Sequence, residues 1–171
     1  TSGGRNRPQR ARGMGRGVNH LLCFGLGFSA RVFAARLRAR GWTVSATSRS
    51  SDGARRIASI GYRTFVFDGS QAPSPDMFDG VTHVVASAPP GGGGDPVLKQ
   101  CRDIFVARAG QFQWLAYLST TGVYGDHGGG WVTEDTPLTP NTERGEKRLQ
   151  AERQWLALWH SHGLPVHLFR L

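Results

Sequence analysis

The chain has 171 residues, 39% of them hydrophobic, and 21 basic against 12 acidic side chains give it a net charge of +9. That length allows one domain with a full apolar core, or one domain and a short appendage. No run approaches the ~18 apolar residues needed to cross a bilayer. The only two cysteines, Cys23 and Cys101, are too few for a disulfide scaffold and point to a reducing compartment or to no redox role, and a cytoplasmic location is expected.

The charge is uneven. Arg5, Arg7, Arg10, Arg12 and Arg16 all fall in the first twenty residues, which hold no acid. Residues 1–19 are Gly-rich and nearly free of apolar side chains, so they are expected to form a disordered basic leader. Such an arm could hold phosphate backbones through counterion release, but a solvated tail is the simpler reading and no nucleic-acid partner is expected. The leader lacks both the apolar segment of a signal peptide and the apolar face of a transit peptide. Met14 offers an alternative start.

From residue 20 the pattern changes. An apolar run over 21–24 reads as a strand, followed by a Gly-rich turn and a helix over 29–40 whose basic residues crowd its C-terminal end before Gly41. A second strand covers 42–46, a short helix capped by Ser51 or Asp52 reaches 60, and a third strand covers 62–67. Residues 69–80 form a loop with at most one helical turn, and 81–86 a fourth strand. Asp95-Pro96 has the chemistry of an N-cap and first helical position, starting a helix to about 109. A fifth strand over 114–119, a long helix from Asn141 or Thr142 to about 161 with Leu149, Trp155, Leu156 and Trp159 on one side, and a sixth strand over 165–171 complete the series. Apolar strands alternating with helices predict a Rossmann-like, doubly wound, mostly parallel sheet with helices on both faces, over residues 20–171.

Gly25-x-Gly27-x-x-Ala30 lies between the first strand and its helix, where a dinucleotide fingerprint belongs. Gly25 permits the tight turn, Gly27 lets backbone approach a diphosphate, and the N–H groups of Phe28 and Ser29 open the helix toward it. At the end of the second strand an acidic residue would take a ribose 2′-hydroxyl. Ser48 and Arg49 stand there instead, a hydroxyl and a guanidinium suited to a 2′-phosphate, unless Arg49 is a plain surface residue. The expected cofactor is therefore NADP, with NAD as the alternative. Asp68, at the end of the third strand, could accept from the adenine amino group or only start its turn. Ser87, Ala88 and Pro89 follow the fourth strand at the sheet edge where ligands bind, and four glycines, 91–94, follow as a compact loop or lid.

The run Ser119-Thr120-Thr121-Gly122-Val123-Tyr124-Gly125 resembles the strand-to-loop signature of the extended short-chain dehydrogenases/reductases, the NAD-dependent epimerase/dehydratase family. Residues 140–152 and the strand after them are similar in spacing to that family's catalytic helix and next strand, and the resemblance covers 21–171. It implies a hydroxyl at the substrate's reacting oxygen, matched by Thr120 and then Thr121, with Ser119 beside the cofactor. It also implies a catalytic Tyr and, four residues later, a Lys that lowers its pKa and holds the nicotinamide ribose. Those two positions are Arg144 and Arg148 here, flanked by matching Gly145, Ala151 and Glu152. An arginine keeps its proton and cannot shuttle it, so Arg144 would polarise a carbonyl or bind an anionic substrate group, and Arg148 would keep the ribose or phosphate contact. Tyr124 is expected to serve its turn. The resemblance implies an NAD(P)-dependent oxidoreductase or epimerase-like enzyme acting on a small molecule at a site without the Tyr-x-x-x-Lys pair, on a chain that stops before the substrate-binding part. The alternative is a catalytically silent NAD(P)-binding sensor or regulatory module. No metal is expected, since His160-x-His162 has no partner at ligand spacing.

Overall fold

The computed structural model describes residues 18–171, and most of the expected leader lies outside the described residues. Asn19 already belongs to the sheet, its carbonyl accepting from the Thr43 N–H at 3.0 Å. The elements follow in the order β1 (His20–Phe24), α1 (Phe28–Arg38), β2 (Thr43–Ser48), α2 (Ser51–Ser59), β3 (Arg63–Val66), β4 (His83–Ala86), α3 (Pro96–Ala107), β5 (Trp114–Ser119), α4 (Glu143–His162) and β6 (Val166–Arg170). The loop before β4 contains one 3-10 turn, Pro75–Phe78. All neighbouring strands pair in parallel in the order β3-β2-β1-β4-β5-β6. The chain order reverses between β1 and β4, and the crevice at the carboxyl ends of those strands is where such sheets bind ligands.

Strand β1 is buried at all five positions, as a central parallel strand covered on both faces must be. Leu22 and Phe24 face the larger core layer with Phe78, Phe105, Tyr117 and Trp155 under α3 and α4. Leu21 and Cys23 face the smaller layer under α1. Of the apolar residues of α1, Ala30, Ala34 and Leu37 are buried, whereas Val32 and Phe33 are 42% and 37% exposed. Small side chains at i and i+4 let the helix lie close to the sheet, so the larger residues flank the contact. Trp159 on α4 is likewise exposed, because the inward stripe runs through Arg148, Ala151, Trp155 and Leu158.

The caps of α3 and α4 follow the expected chemistry, whereas α2 is capped by Ser50 rather than Ser51 or Asp52, its Oγ accepting from Gly53 N–H at 3.2 Å. Asp95 accepts from the N–H groups of Val97 and Leu98 at 2.9 Å and also takes Trp155 Nε1–H at 3.3 Å, joining α3 to α4. Burial pushes its carboxyl above the usual range, against those hydrogen bonds. Thr142 caps α4 through Gly145 N–H, and Gly163 closes it in the left-handed conformation, φ 65°.

At the opposite end of the sheet from the crevice, buried His20 pairs through Nε2 with Ser45 Oγ at 2.6 Å. Burial lowers its pKa, and that of His83, below the ordinary histidine value. A lowered folded-state pKa means that the stabilisation is complete above about pH 6.5 and is lost as pH falls further, because the unfolded chain takes up the protons first. The melting temperature is expected to decline from pH 7 to 5, and His20→Asn to flatten part of that slope. A slope equal to that of the parent protein would place the effect elsewhere.

Candidate functional site

Phe24 ends β1 and the chain must turn sharply to enter α1. Gly25 makes that turn at φ 84°, a conformation other residues adopt only with strain. Its N–H donates to Thr47 Oγ1 on β2 at 3.0 Å, and Ser87 Oγ, just past β4, donates to the carbonyls of Phe24 and Gly25 at 3.1 Å each. Two neighbouring strands thus brace the turn from both sides. A Cβ at Gly25 would meet Ser87 Oγ at 2.9 Å, whereas one at Gly27 would meet nothing within 4 Å. Gly27 therefore borders open space, and as the N-cap of α1 it offers no side-chain hydrogen bond to the first-turn N–H groups. Those unpaired donors and the positive end of the helix dipole face that space.

The space is a cleft of about 900 Å³ over the β1–β4 crevice. Among the residues singled out from sequence, Gly25, Gly27, Ser48, Arg49, Asp68, Ser87, Ala88 and Pro89 line it. Phe28 and Ser29 open α1 at its rim, both exposed. Asp68 accepts from Ser70 N–H at 2.8 Å and Ser70 Oγ at 2.6 Å, and the Ser70 bonds hold its carboxyl below the usual range. Its turn-forming role is thus plain, with the second carboxylate oxygen outside those bonds.

Sequence reasoning missed four cleft residues. Thr47 falls just past the expected second strand, 42–46, yet it lies within β2 and its hydroxyl holds the Gly turn. Arg31 on α1, Arg56 on α2 and Lys99 on α3 join Arg49 around the cleft, leaving Asp68 as the only carboxylate among its lining residues. The one available signal was helical spacing: each cation lies in the first turn or two of a helix whose N-terminus opens at the carboxyl edge.

The residues of the family-like run lie apart, at the end of β5 and the start of α4. Thr120 caps a 3-10 turn, its hydroxyl accepting from Gly122 N–H at 3.2 Å, and Thr121 begins that turn exposed to solvent. Tyr124 is buried, and its phenol oxygen accepts from Arg170 Nη1 at 2.8 Å. Arg170 in turn grips Glu152 through two bonds, Nε to Oε1 at 3.1 Å and Nη2 to Oε2 at 2.9 Å. Glu152 is 1% exposed. Its two bonds, with that of Tyr124, raise the arginine's pKa further. Arg148 is buried too, donating from Nη1 to the Leu118 carbonyl at 2.7 Å and to the Tyr117 hydroxyl at 3.1 Å. Burial lifts the Tyr117 phenol to about 12, so it stays protonated. Arg144 is exposed, and Ser119 Oγ is buried with no hydrogen-bond partner. Among the described residues no group of three metal-ligating side chains converges, and no helix is long and apolar enough to cross a membrane.

No family model matches this chain, and neither does any curated protein. Solved structures do. A functionally unknown conserved protein from Silicibacter pomeroyi is 47% identical, matching 90% of this chain and 52% of its own with a TM-score of 0.80. The dTDP-glucose 4,6-dehydratase of Bacillus anthracis, solved with NAD, is 21% identical over 90% of this chain and 54% of its own, with a TM-score of 0.69. The UDP-glucuronic acid 4-epimerase of Bacillus cereus, also with NAD, is 16% identical over 88% and 56%, with a TM-score of 0.70. The fold is therefore the one found in epimerases and dehydratases of nucleotide sugars. This chain spans about half the length of each of those structures.

Two outcomes follow from this geometry. Glu152→Gln takes the counter-charge from the part-buried Arg170 and should cost about 1–3 kcal/mol in denaturant unfolding; a loss below about 1 kcal/mol would mean the pair is not holding α4 to β6. Gly25→Ala combines the 2.9 Å clash with an unfavourable φ, and should lower stability by about 1–3 kcal/mol while Gly27→Ala leaves the melting temperature near that of the parent.

Proposed function

We propose that the chain binds NADP(H) in the cleft above the Gly25–Gly27 turn and serves an oxidoreductase or epimerase-like enzyme with a non-standard catalytic site. The observation that carries the reading is four cations and one carboxylate around a cleft that opens on an uncapped helix N-terminus. A dinucleotide fits what is there. Gly27 leaves room for the diphosphate, the first N–H groups of α1 point at it, and Ser48 and Arg49 stand where a 2′-phosphate would reach. Arg31, Arg56 and Lys99 add positive charge suited to a polyanionic ligand. When bound, a nicotinamide supplies or accepts hydride. The contribution of this chain is to hold and orient it, with Thr120 offering a hydroxyl to a small-molecule substrate at the end of β5.

A second reading keeps the cofactor and drops the turnover. Arg148 is committed to the Leu118 carbonyl and Tyr117, and the neighbouring position for a proton donor is an arginine, which favours a silent nucleotide-responsive module. The two readings separate in a substrate screen of carbonyl compounds and nucleotide sugars run with saturating cofactor: hydride exchange with any of them supports the enzyme.

Fluorescence titration tests the cofactor. NADPH should bind at least tenfold tighter than NADH. Arg49→Gln should remove about tenfold or more of the NADPH affinity, the scale of one charged hydrogen bond, and leave NADH nearly unchanged. Tighter binding of NADH by the parent protein would overturn the choice of NADP(H).

A further inference from the structure

Helix α4 connects two parallel strands, so it runs antiparallel to β5 and its N-terminus lies at the carboxyl edge of the sheet. Two contacts fix its register. Arg148 bonds the Leu118 carbonyl at 2.7 Å, and Gly145 lies so near the turn after β5 that a Cβ there would meet the Gly122 carbonyl at 2.7 Å. Arg144 is about one turn before Arg148 on the same helix face, about 6 Å further toward the carboxyl edge. The strand advances about 3.3 Å per residue, so a step of that size from Leu118 arrives at Thr120.

Arg144 therefore heads the inward stripe that continues through Arg148, Ala151 and Trp155. Those three are buried and Arg144 alone is exposed. Its exposure follows from position: the stripe has run past the end of β5, to the level of Thr120. Among the described residues its guanidinium has no ion-pair partner, while neighbouring Glu143 is taken by Lys147. A second polar group waits on the same side. Ser119 projects from the strand face that carries Tyr117, toward α4, and its hydroxyl is buried, 6% exposed as a residue, with no hydrogen-bond partner. A buried hydroxyl left unpaired costs stability unless a ligand completes it.

We propose that Arg144, Thr120 and Ser119 form an oxyanion-binding subsite, and that the substrate carries a carboxylate or phosphate group docked there. This rests on the reading of the cleft as a nicotinamide dinucleotide site, next to which the subsite would place the substrate's charged end. A guanidinium offers the paired donors that a carboxylate or phosphate accepts, and the two hydroxyls satisfy further acceptor positions. The replacement of a proton-donating phenol by a fixed cation is then a change of recognition chemistry at this position.

Calorimetric titration with oxamate and, separately, with inorganic phosphate tests the subsite and distinguishes the two anion sources. Each titration is run with and without saturating NADPH, so the anion result stands whether or not the nucleotide binds. One anion is expected to bind saturably to the parent protein. Arg144→Gln should weaken it at least tenfold, Arg144→Lys by less, and Ser119→Ala severalfold, with NADPH affinity and the melting temperature of Arg144→Gln unchanged. Lys147→Gln, which removes a nearby charge outside the stripe, should have no effect. Absence of saturable binding by both anions, or an equal loss in Lys147→Gln, would overturn the subsite. Failure of NADPH alone to bind would instead overturn the reading of the cleft.

Discussion

The ion pair of Glu152, buried in α4, and the part-exposed Arg170 joins segments far apart in the chain. Glu152 belongs to α4, Arg170 to β6, and the third partner, Tyr124, to the turn that leaves β5. One guanidinium thereby ties together the three segments that form the right-hand half of the sheet. Glu152 has left water and Arg170 only in part, so the carboxylate depends on the two guanidinium bonds that match its oxygens. With it in place, α4 has one register on β5, Gly145 can close on Gly122, and Arg148 reaches the Leu118 carbonyl. The left-hand half depends on a quieter device, the Gly25 turn braced by Thr47 and Ser87. The two halves meet at the crevice between β1 and β4.

Much of this was legible in the sequence because it rests on local chemistry. Apolar runs of four to six residues separated by capped helices announce a parallel sheet. Asp95-Pro96 and Thr142 mark helix starts through hydrogen bonds that span two or three residues. The Gly25-x-Gly27 turn belongs to the same class, since its meaning is set by the strand before it and the helix after it. What stayed hidden depends on long-range pairing. Nothing near Glu152 in sequence says that it will be buried against Arg170, and nothing near Thr47 says that its hydroxyl will hold a turn 22 residues earlier. Arg31, Arg56 and Lys99 read as solvated surface until the topology gathers three helix N-termini around one cleft.

The family-like run shows a subtler limit. Tyr124 was read as serving its turn, and Arg170 supplies the partner. The arginines at the positions of the missing Tyr and Lys, although drawn from one motif, have separated into different roles. Arg148 is part of the core, an internal strut between helix and strand, whereas Arg144, one turn away, stands free. Residue identity alone treats the two alike. The height of each above the sheet edge distinguishes them.

Among the described residues β6 forms one edge of the sheet, and α1 ends its cover at Phe33, which touches Trp114. Beyond that contact Phe169 packs on Trp114 from β6 and remains 40% exposed. An unpaired strand edge beside aromatic surface is a template for adding another strand. The opposing influence is the charge with which the sequence began, since copies carrying +9 repel one another at distances set by the ionic strength. Added salt screens that repulsion, so association through the β6 edge is expected to rise with ionic strength. The excess of basic residues protects the same strand whose Arg170 holds the fold together.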